Sequence, residues 1–406
     1  MVRIGLGQVY NGEFKKGLVL NGVLCVGLFL YGFRVYCIGT YDLLLFVMIL
    51  SLYVIIKAYS IAQAFMRSRS AGVQYSLKSF NRIYFYILFV IVSLVVCVFL
   101  SRVVQQYAVL DMTSYHPFRS QTAKEHYLRH YDMIAKRWPV ASEERMVPTS
   151  YGQTFVRISG PADSPALVLL HGVGGNSLQW APNVEALSKE FRIYAVDTIN
   201  DNGRSIYVRA IKTSTDFVEW LDELFTALKL NDRINLVGLS YGGWITSQYA
   251  LHHPERLHKI IMIAPAGTIV SFSPEWIKRA LLCTIPDRYF LESFSYWLME
   301  DCAKDNACCK IIGQEIDFAF MGLRSFKPKN MVNPNVLTDE EIGSIKVPAL
   351  FMIGEHEKIY NAQQAVARVR NAAPQIEVEI IPDAGHDLTF VRANQVNEKV
   401  VEFLRK

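Results

Sequence analysis

Hydrophobic and polar positions follow two different rhythms along this chain. Up to about residue 104 the apolar residues form three long runs, at about 17–33 (GLVLNGVLCVGLFLYGF), 38–56 and 83–100, with Lys16, Arg34, Lys57, Arg82 and Arg102 at their flanks. Each run approaches the roughly 20 apolar residues that cross a hydrocarbon core. A lone span satisfies its backbone hydrogen bonds internally only as a helix. The pattern therefore predicts three transmembrane helices in an anchor covering 1–104. A cleaved signal peptide would be followed by a small-residue cleavage site, not by two further spans.

After a polar stretch with spaced aromatics (Tyr115, Phe118, Tyr127, Tyr131, Trp138), read as a connecting helix within 105–140, the rhythm shortens. MVPTS and TFVRISG read as two strands joined at Tyr151 and Gly152. ALVLLH, RIYAVD, INLVGL, KIIMIA, PALFMIG and EVEII follow as compact apolar runs of the kind buried in a parallel sheet. Between them lie helical patterns, clearest from Asp216 to Leu230, where Phe217, Trp220, Leu221, Leu224, Phe225 and Leu228 recur at i, i+3, i+4 spacing. Eight strands with intervening helices imply a doubly wound, mostly parallel α/β sheet over 141–406. An insertion at about 268–335 interrupts the alternation and is placed over the carboxyl ends of the strands as a helical lid.

Charge divides the chain at the same point. Residues 1–110 carry ten Lys/Arg against two acids, and the remaining 296 carry 32 against 35, so the overall +5 belongs to the first part. That leaves no basic face for nucleic acid. The 57–82 loop holds five basic residues and no acid. The positive-inside rule keeps this loop and the N-terminus in the cytoplasm, and three crossings then put the C-terminal domain outside it, in the periplasm or beyond the cell.

Candidate chemistry begins at Gly238-Leu239-Ser240-Tyr241-Gly242, a G-x-S-x-G pentapeptide. The pattern alone is weak; its place between the strand INLVGL and the helical run WITSQYAL makes it a nucleophile elbow, whose tight turn exposes the Ser240 hydroxyl. A serine hydroxyl needs a base. His386, in PDAGHDL after the last predicted strand, stands where the chain order Ser, acid, His requires one. The acid should follow the preceding strand, in Gly354-Glu355-His356-Glu357-Lys358. Glu357 is the choice for orienting the imidazole and stabilising its charged form, with Glu355 and then Asp383 as alternatives. Adjacent side chains do not converge on one ion, which removes metal binding by Glu355, His356 and Glu357 or by His252 and His253. His171-Gly172-Val173-Gly174-Gly175, directly after ALVLL, would supply the Val173 N–H to an oxyanion hole, with the Tyr241 N–H as its second donor. The loop lacks the lysine of a P-loop and the spacing of a dinucleotide fingerprint. No cofactor is expected, and the expected ligand is a small ester or acyl compound.

Cys283, Cys302, Cys308 and Cys309 all fall in the insertion. Outside the cytoplasm such a cluster favours disulfides, and since a Cys308–Cys309 bond is strained, each is expected to pair with Cys283 or Cys302. The lid's aromatics (Phe272, Trp276, Tyr289, Phe290, Phe294, Tyr296, Trp297) read as lid core, or alternatively as a surface for acyl or lipid-derived substrates.

FRSQTAKEHYLRHYD, WPV, the His-Gly loop, YAVDTINDNGRS, GLSYGG, GEHEKIYN and AGHDL together make the stretch from about Phe118 to Leu404 resemble α/β-hydrolases, in particular bacterial enzymes similar to carboxylesterase NP. The resemblance implies a Ser/Glu/His esterase with a helical lid. Asp197 is followed by a loop with only Gly203 where many relatives of the fold carry more glycine, and it is read as a brace. The opening GLGQVYNGEFKKGL with KAYSIAQA resembles a two-helix bacterial membrane module, which implies an anchor or a partner-binding element. Lipase, thioesterase, C–C hydrolase and acyltransferase chemistry share the same triad. A non-catalytic sensor coupled to the membrane part is the rival of another class.

Overall fold

Most of the compact apolar runs become strands covered on both faces, the environment a parallel sheet provides. The computed structural model describes residues 113–406, except 231, 284–286, 305, 328 and 330 and the side chains of 306–308, 310 and 311. The strands are β1 (Ser142–Thr149), β2 (Gly152–Ser159), β3 (Ala166–Leu170), β4 (Arg192–Val196), β5 (Ile206–Tyr207), β6 (Ile234–Leu239), β7 (Leu257–Ile263), β8 (Ala349–Gly354) and β9 (Glu377–Ile381). They form one sheet in the order β1-β2-β4-β3-β6-β7-β8-β9, with β5 on β2. The three pairings made by β2 are antiparallel, and β4 through β9 along that order run parallel. The sheet thus has nine strands, not the eight expected. The ninth, β5, is two residues held by pairing with Gly152 and Gln153, too short to leave a periodicity.

The longer helices are α1 (Gln121–Ala135), α2 (Ser214–Ala227), α3 (Tyr241–His252), α4 (Pro274–Leu282), α5 (Arg288–Leu298), α6 (Asn306–Ser325), α7 (Ala362–Ala372) and α8 (Ala393–Arg405). Alternating residues of β6 and β7 serve opposite faces. Ile234, Leu236, Ile260 and Met262 join Trp220, Trp244 and Val366 of α2, α3 and α7 in one core. Val237, Leu239, Ile261 and Ile263 join Tyr127 and Tyr131 of α1 and Val400 and Phe403 of α8 in the other. Fully burying one such aliphatic or aromatic side chain is worth roughly 1.5–3 kcal/mol, so both layers are anchored to the sheet. The helix expected over 216–230 begins at Ser214, where Thr213 and Asp216 form a capping box that satisfies the first backbone N–H groups.

Between β7 and β8 the chain leaves the sheet for α4, α5, the short helix Glu300–Ala303 and α6. No residue of α4 or α5 is buried, and Tyr289 is 69% exposed, so the lid aromatics are not the closed core expected of them. Trp276 stacks instead on Phe272 at 4.0 Å. The expected disulfide pairing is also corrected: Cys302 is disulfide-bonded, but Cys283 and Cys309 are free thiols. Each free thiol lies against a carbonyl of the lid itself, Cys283 on Phe290 and Cys309 on Ala303. The end of α6 is clamped by the first described residues. Phe118 bridges Phe326, the Arg119 N–H donates to Ser325 and the Lys327 N–H donates to Pro117.

The three expected spans lie outside the described residues. Among the described residues no helix is long and apolar enough to cross a membrane.

Candidate active site

Parallel register brings the carboxyl ends of the central strands level. Leu170 pairs with Val196 and Gly238, Leu239 with Ile263, Ile263 with Met352, and Gly354 with Ile381. The residues that follow these ends are His171, Asp197, Ser240, Glu357 and His386, which therefore lie along one edge.

Ser240 sits between β6 and α3 at φ 55° and ψ −113°. A non-glycine residue there is strained by about 1–3 kcal/mol and persists only where its surroundings over-determine it. They do so here: the Ser240 N–H donates to Ile263, and its carbonyl accepts from Ala266. The flanking glycines answer to close approach. A Cβ at Gly238 would lie 2.1 Å from the Gly242 carbonyl oxygen, and one at Gly242 2.4 Å from that of Leu170. Ser240 itself is 6% exposed.

The loops after β8 and β9 interlock. A Cβ at Gly354 would meet the Gly385 carbonyl oxygen at 2.3 Å, and the His356 N–H donates to Ala384. This contact carries Glu357 to His386, whose Nδ1 lies 2.8 Å from Oε2. The other carboxylate oxygen accepts the N–H groups of Lys358 and Ile359 at 2.8 and 2.9 Å. The Glu357 side chain is fully buried. Burial by itself lowers the pKa of His386; the charge of Glu357, its hydrogen bond and the charge of Asp387 outweigh that and raise it. Of the alternative acids, Glu355 is exposed and accepts the Asp383 N–H, and Asp383 is also exposed. Among the described residues no hydrogen bond joins Ser240 to His386; such bonds are often long in a free enzyme and tighten around substrate.

The loop after β3 lies against the elbow, since a Cβ at Gly172 would touch that of Ser240 at 3.4 Å. His171 locks the loop from below: Nε2 accepts from the Thr198 N–H, and Nδ1 then donates to the Gly172 carbonyl. The Gly172 N–H donates to Gln179 Oε1 at 2.9 Å, and the Gly174 N–H to the Asp201 carboxylate at 3.0 and 3.2 Å. The N–H of Gly175 turns back onto Gly172. Among the described residues the Val173 N–H has no acceptor, and the residue is 53% exposed. The Tyr241 N–H is the first of α3, where backbone donors lack intrahelical partners. The Tyr241 ring is buried, and its hydroxyl donates to Val332 at 2.7 Å.

Asp197 is fully buried and accepts from the N–H groups of Ser177 and Arg204 and from the Tyr131 hydroxyl. The single Gly203, at φ 145°, allows this wrapping, because a Cβ there would fall 2.5 Å from the carboxylate. Burial raises the Asp197 pKa. Three contributors went unread in the sequence: Gln179, Asp201 and Asp387. Asp387 is buried beside His386 and accepts the N–H groups of Gly385 (3.1 Å) and Cys302 (3.0 Å), joining the His386 loop to the lid. An acid in the loop after β4 and another next to the base were their only sequence signals.

A family model described as the alpha/beta hydrolase fold matches residues 165–304. Carboxylesterase YbfK of Bacillus subtilis is 38% identical over 277 residues, which make up 68% of this chain and 92% of that protein. The crystal structure of B. subtilis naproxen esterase (carboxylesterase NP) superposes with a TM-score of 0.64 at 35% identity, covering 70% of this chain and 99% of that one. That of carboxylesterase CesB (YbfK) gives 0.63 at 36% identity over 70% and 98%.

Proposed function

Since this chain belongs to the carboxylesterases of the α/β-hydrolase family, which are serine hydrolases, we propose that it cleaves carboxylic esters through an acyl-Ser240 intermediate. His386 takes the Ser240 proton as the oxygen attacks the ester carbonyl carbon. The oxygen of the tetrahedral intermediate gains negative charge and receives the N–H groups of Val173 and Tyr241. The ester C–O bond then breaks, and His386 gives its proton to the departing alcohol. Water, deprotonated by His386, attacks the acyl carbon and releases the carboxylic acid and the serine. Glu357 accepts the hydrogen bond from Nδ1–H of His386 throughout and stabilises the imidazolium.

The observation that carries this reading is the 2.8 Å pairing of His386 with the buried Glu357, on loops level with the Ser240 elbow. An uncommitted N–H at Val173 supports the oxyanion assignment. The apolar runs at 17–33, 38–56 and 83–100 support a multi-pass membrane anchor, and the basic 57–82 loop supports an extracytoplasmic hydrolase domain. A disulfide at Cys302 is in keeping with an oxidising compartment. The test is labelling of the full-length protein by a fluorophosphonate probe. Wild type is expected to label and Ser240→Ala to remain unlabelled; folded wild type that takes no label would refute the esterase reading and favour a ligand sensor.

A further inference from the structure

The loop that carries Val173 is positioned by a residue from a different loop. Asp201 follows β4, is 6% exposed, and its carboxylate accepts the Gly174 N–H through both oxygens and the Asn202 N–H through one. Asn202 reaches the same loop from the other side, its side-chain amide donating to the Gly174 carbonyl at 3.1 Å. The Gly174 peptide groups are thus held at both N–H and C=O by two consecutive residues. Gly174 stands at φ 76°, a left-handed conformation that glycine takes without the Cβ penalty. With the Gly172 N–H held by Gln179 and the Gly174 N–H by Asp201, the N–H between them is the one left over.

A carboxylate beside an oxyanion hole carries a liability, because its charge opposes the charge that develops on the substrate. Lys329 answers it. Its ammonium, on the segment after the last lid helix, pairs with Asp201 and is itself only 17% exposed. The pair therefore joins three pieces: the loop after β3, the loop after β4 and the returning end of the lid.

We propose that Asp201 is a positioning residue for ester hydrolysis. It fixes the Gly174 peptide so that the Val173 N–H points to the oxyanion, while Lys329 cancels its charge. The inference rests on the esterase reading above and adds to it a link between the lid's end and transition-state stabilisation.

The test is steady-state hydrolysis of p-nitrophenyl butyrate by the full-length enzyme, with inhibition by an aryl trifluoromethyl ketone, which forms a tetrahedral adduct with the serine. Wild type that neither labels with fluorophosphonate nor turns over ester would sink the underlying reading, whatever the variants do. With wild type active, Asp201→Ala is expected to lower kcat about 10- to 100-fold with KM within about threefold, and to weaken the ketone by the same factor. Asp201→Asn keeps an acceptor oxygen and should lose clearly less than the alanine variant. Lys329→Ala should also lower kcat, and adding Asp201→Asn to it should recover activity by removing the bare charge, a rescue that a merely structural role would not produce. An Asp201→Ala enzyme with kcat within twofold of wild type, a loss confined to KM, or equal impairment of the asparagine and alanine variants would overturn the proposal. Where Asp201→Ala does not fold, Asp201→Ser, whose hydroxyl stops short of Gly174, is read by the same criteria.

Discussion

His386 and Glu357 set the pH dependence expected of the reaction. Hydrolysis needs the imidazole neutral, so kcat/KM should rise with pH as His386 loses its proton. Glu357 and Asp387 raise the His386 pKa against the lowering effect of burial, which places the acid limb above the ordinary histidine value. Glu357→Gln removes the larger of these charges. A pH–rate profile of that variant should show the limb displaced to lower pH and kcat reduced by about 10⁴-fold, because the tautomer is no longer enforced. A limb that stays in place would remove Glu357 from the role. The candidates Ser240, Glu357 and His386 could be chosen from the sequence because each follows a recognisable strand and their chain order is constrained, and the structure pairs the last two. Gln179 and Asp201 could not be, since each meets a loop backbone through a side chain that leaves no periodic trace.

Short elements tie the lid to the site. The four-residue helix Glu300–Ala303 meets both loops that carry the acid and the base. Glu300 pairs with Lys358, Asp301 with His356 at 2.9 Å, and the Cys302 N–H reaches Asp387. The Lys358 and His356 pairs each join an exposed partner (Glu300, His356) to a more covered one (Lys358, Asp301), whereas Asp387 is buried and serves two backbone donors. Asp387→Ala leaves the Gly385 and Cys302 N–H groups without an acceptor, at about 1–3 kcal/mol for a buried donor. Urea unfolding should register a loss of at least that order, and a change below about 0.5 kcal/mol would show that water takes over both donors. Elements of this kind explain where the sequence reading of the fold fell short. Runs such as INLVGL announced themselves because they are covered on both faces. β5 exists only through its pairing with β2, and the lid aromatics carry no signal that distinguishes a closed core from an open face.

Across the whole molecule, the disulfide state connects the structure to its compartment. Alkylation of the native, unreduced protein followed by peptide mapping should modify Cys283 and Cys309 and leave Cys302 blocked until reduction. Modification of Cys302 without reductant would remove the bond and weaken the extracytoplasmic reading. The division of the chain into an apolar, basic first part and a near-neutral second part was readable from composition alone, and so was the parallel architecture. The clamp of Pro117–Arg119 on Ser325–Lys327 was not, because it joins segments far apart in sequence through a single bridge made of two backbone hydrogen bonds. Its consequence is practical. Those few residues are a structural part of the lid's base, although they precede every strand, so a shortened version of the protein that begins at α1 would leave the far end of α6 held by side-chain packing alone, and any trimmed form has to start ahead of Pro117 to keep its roof fastened.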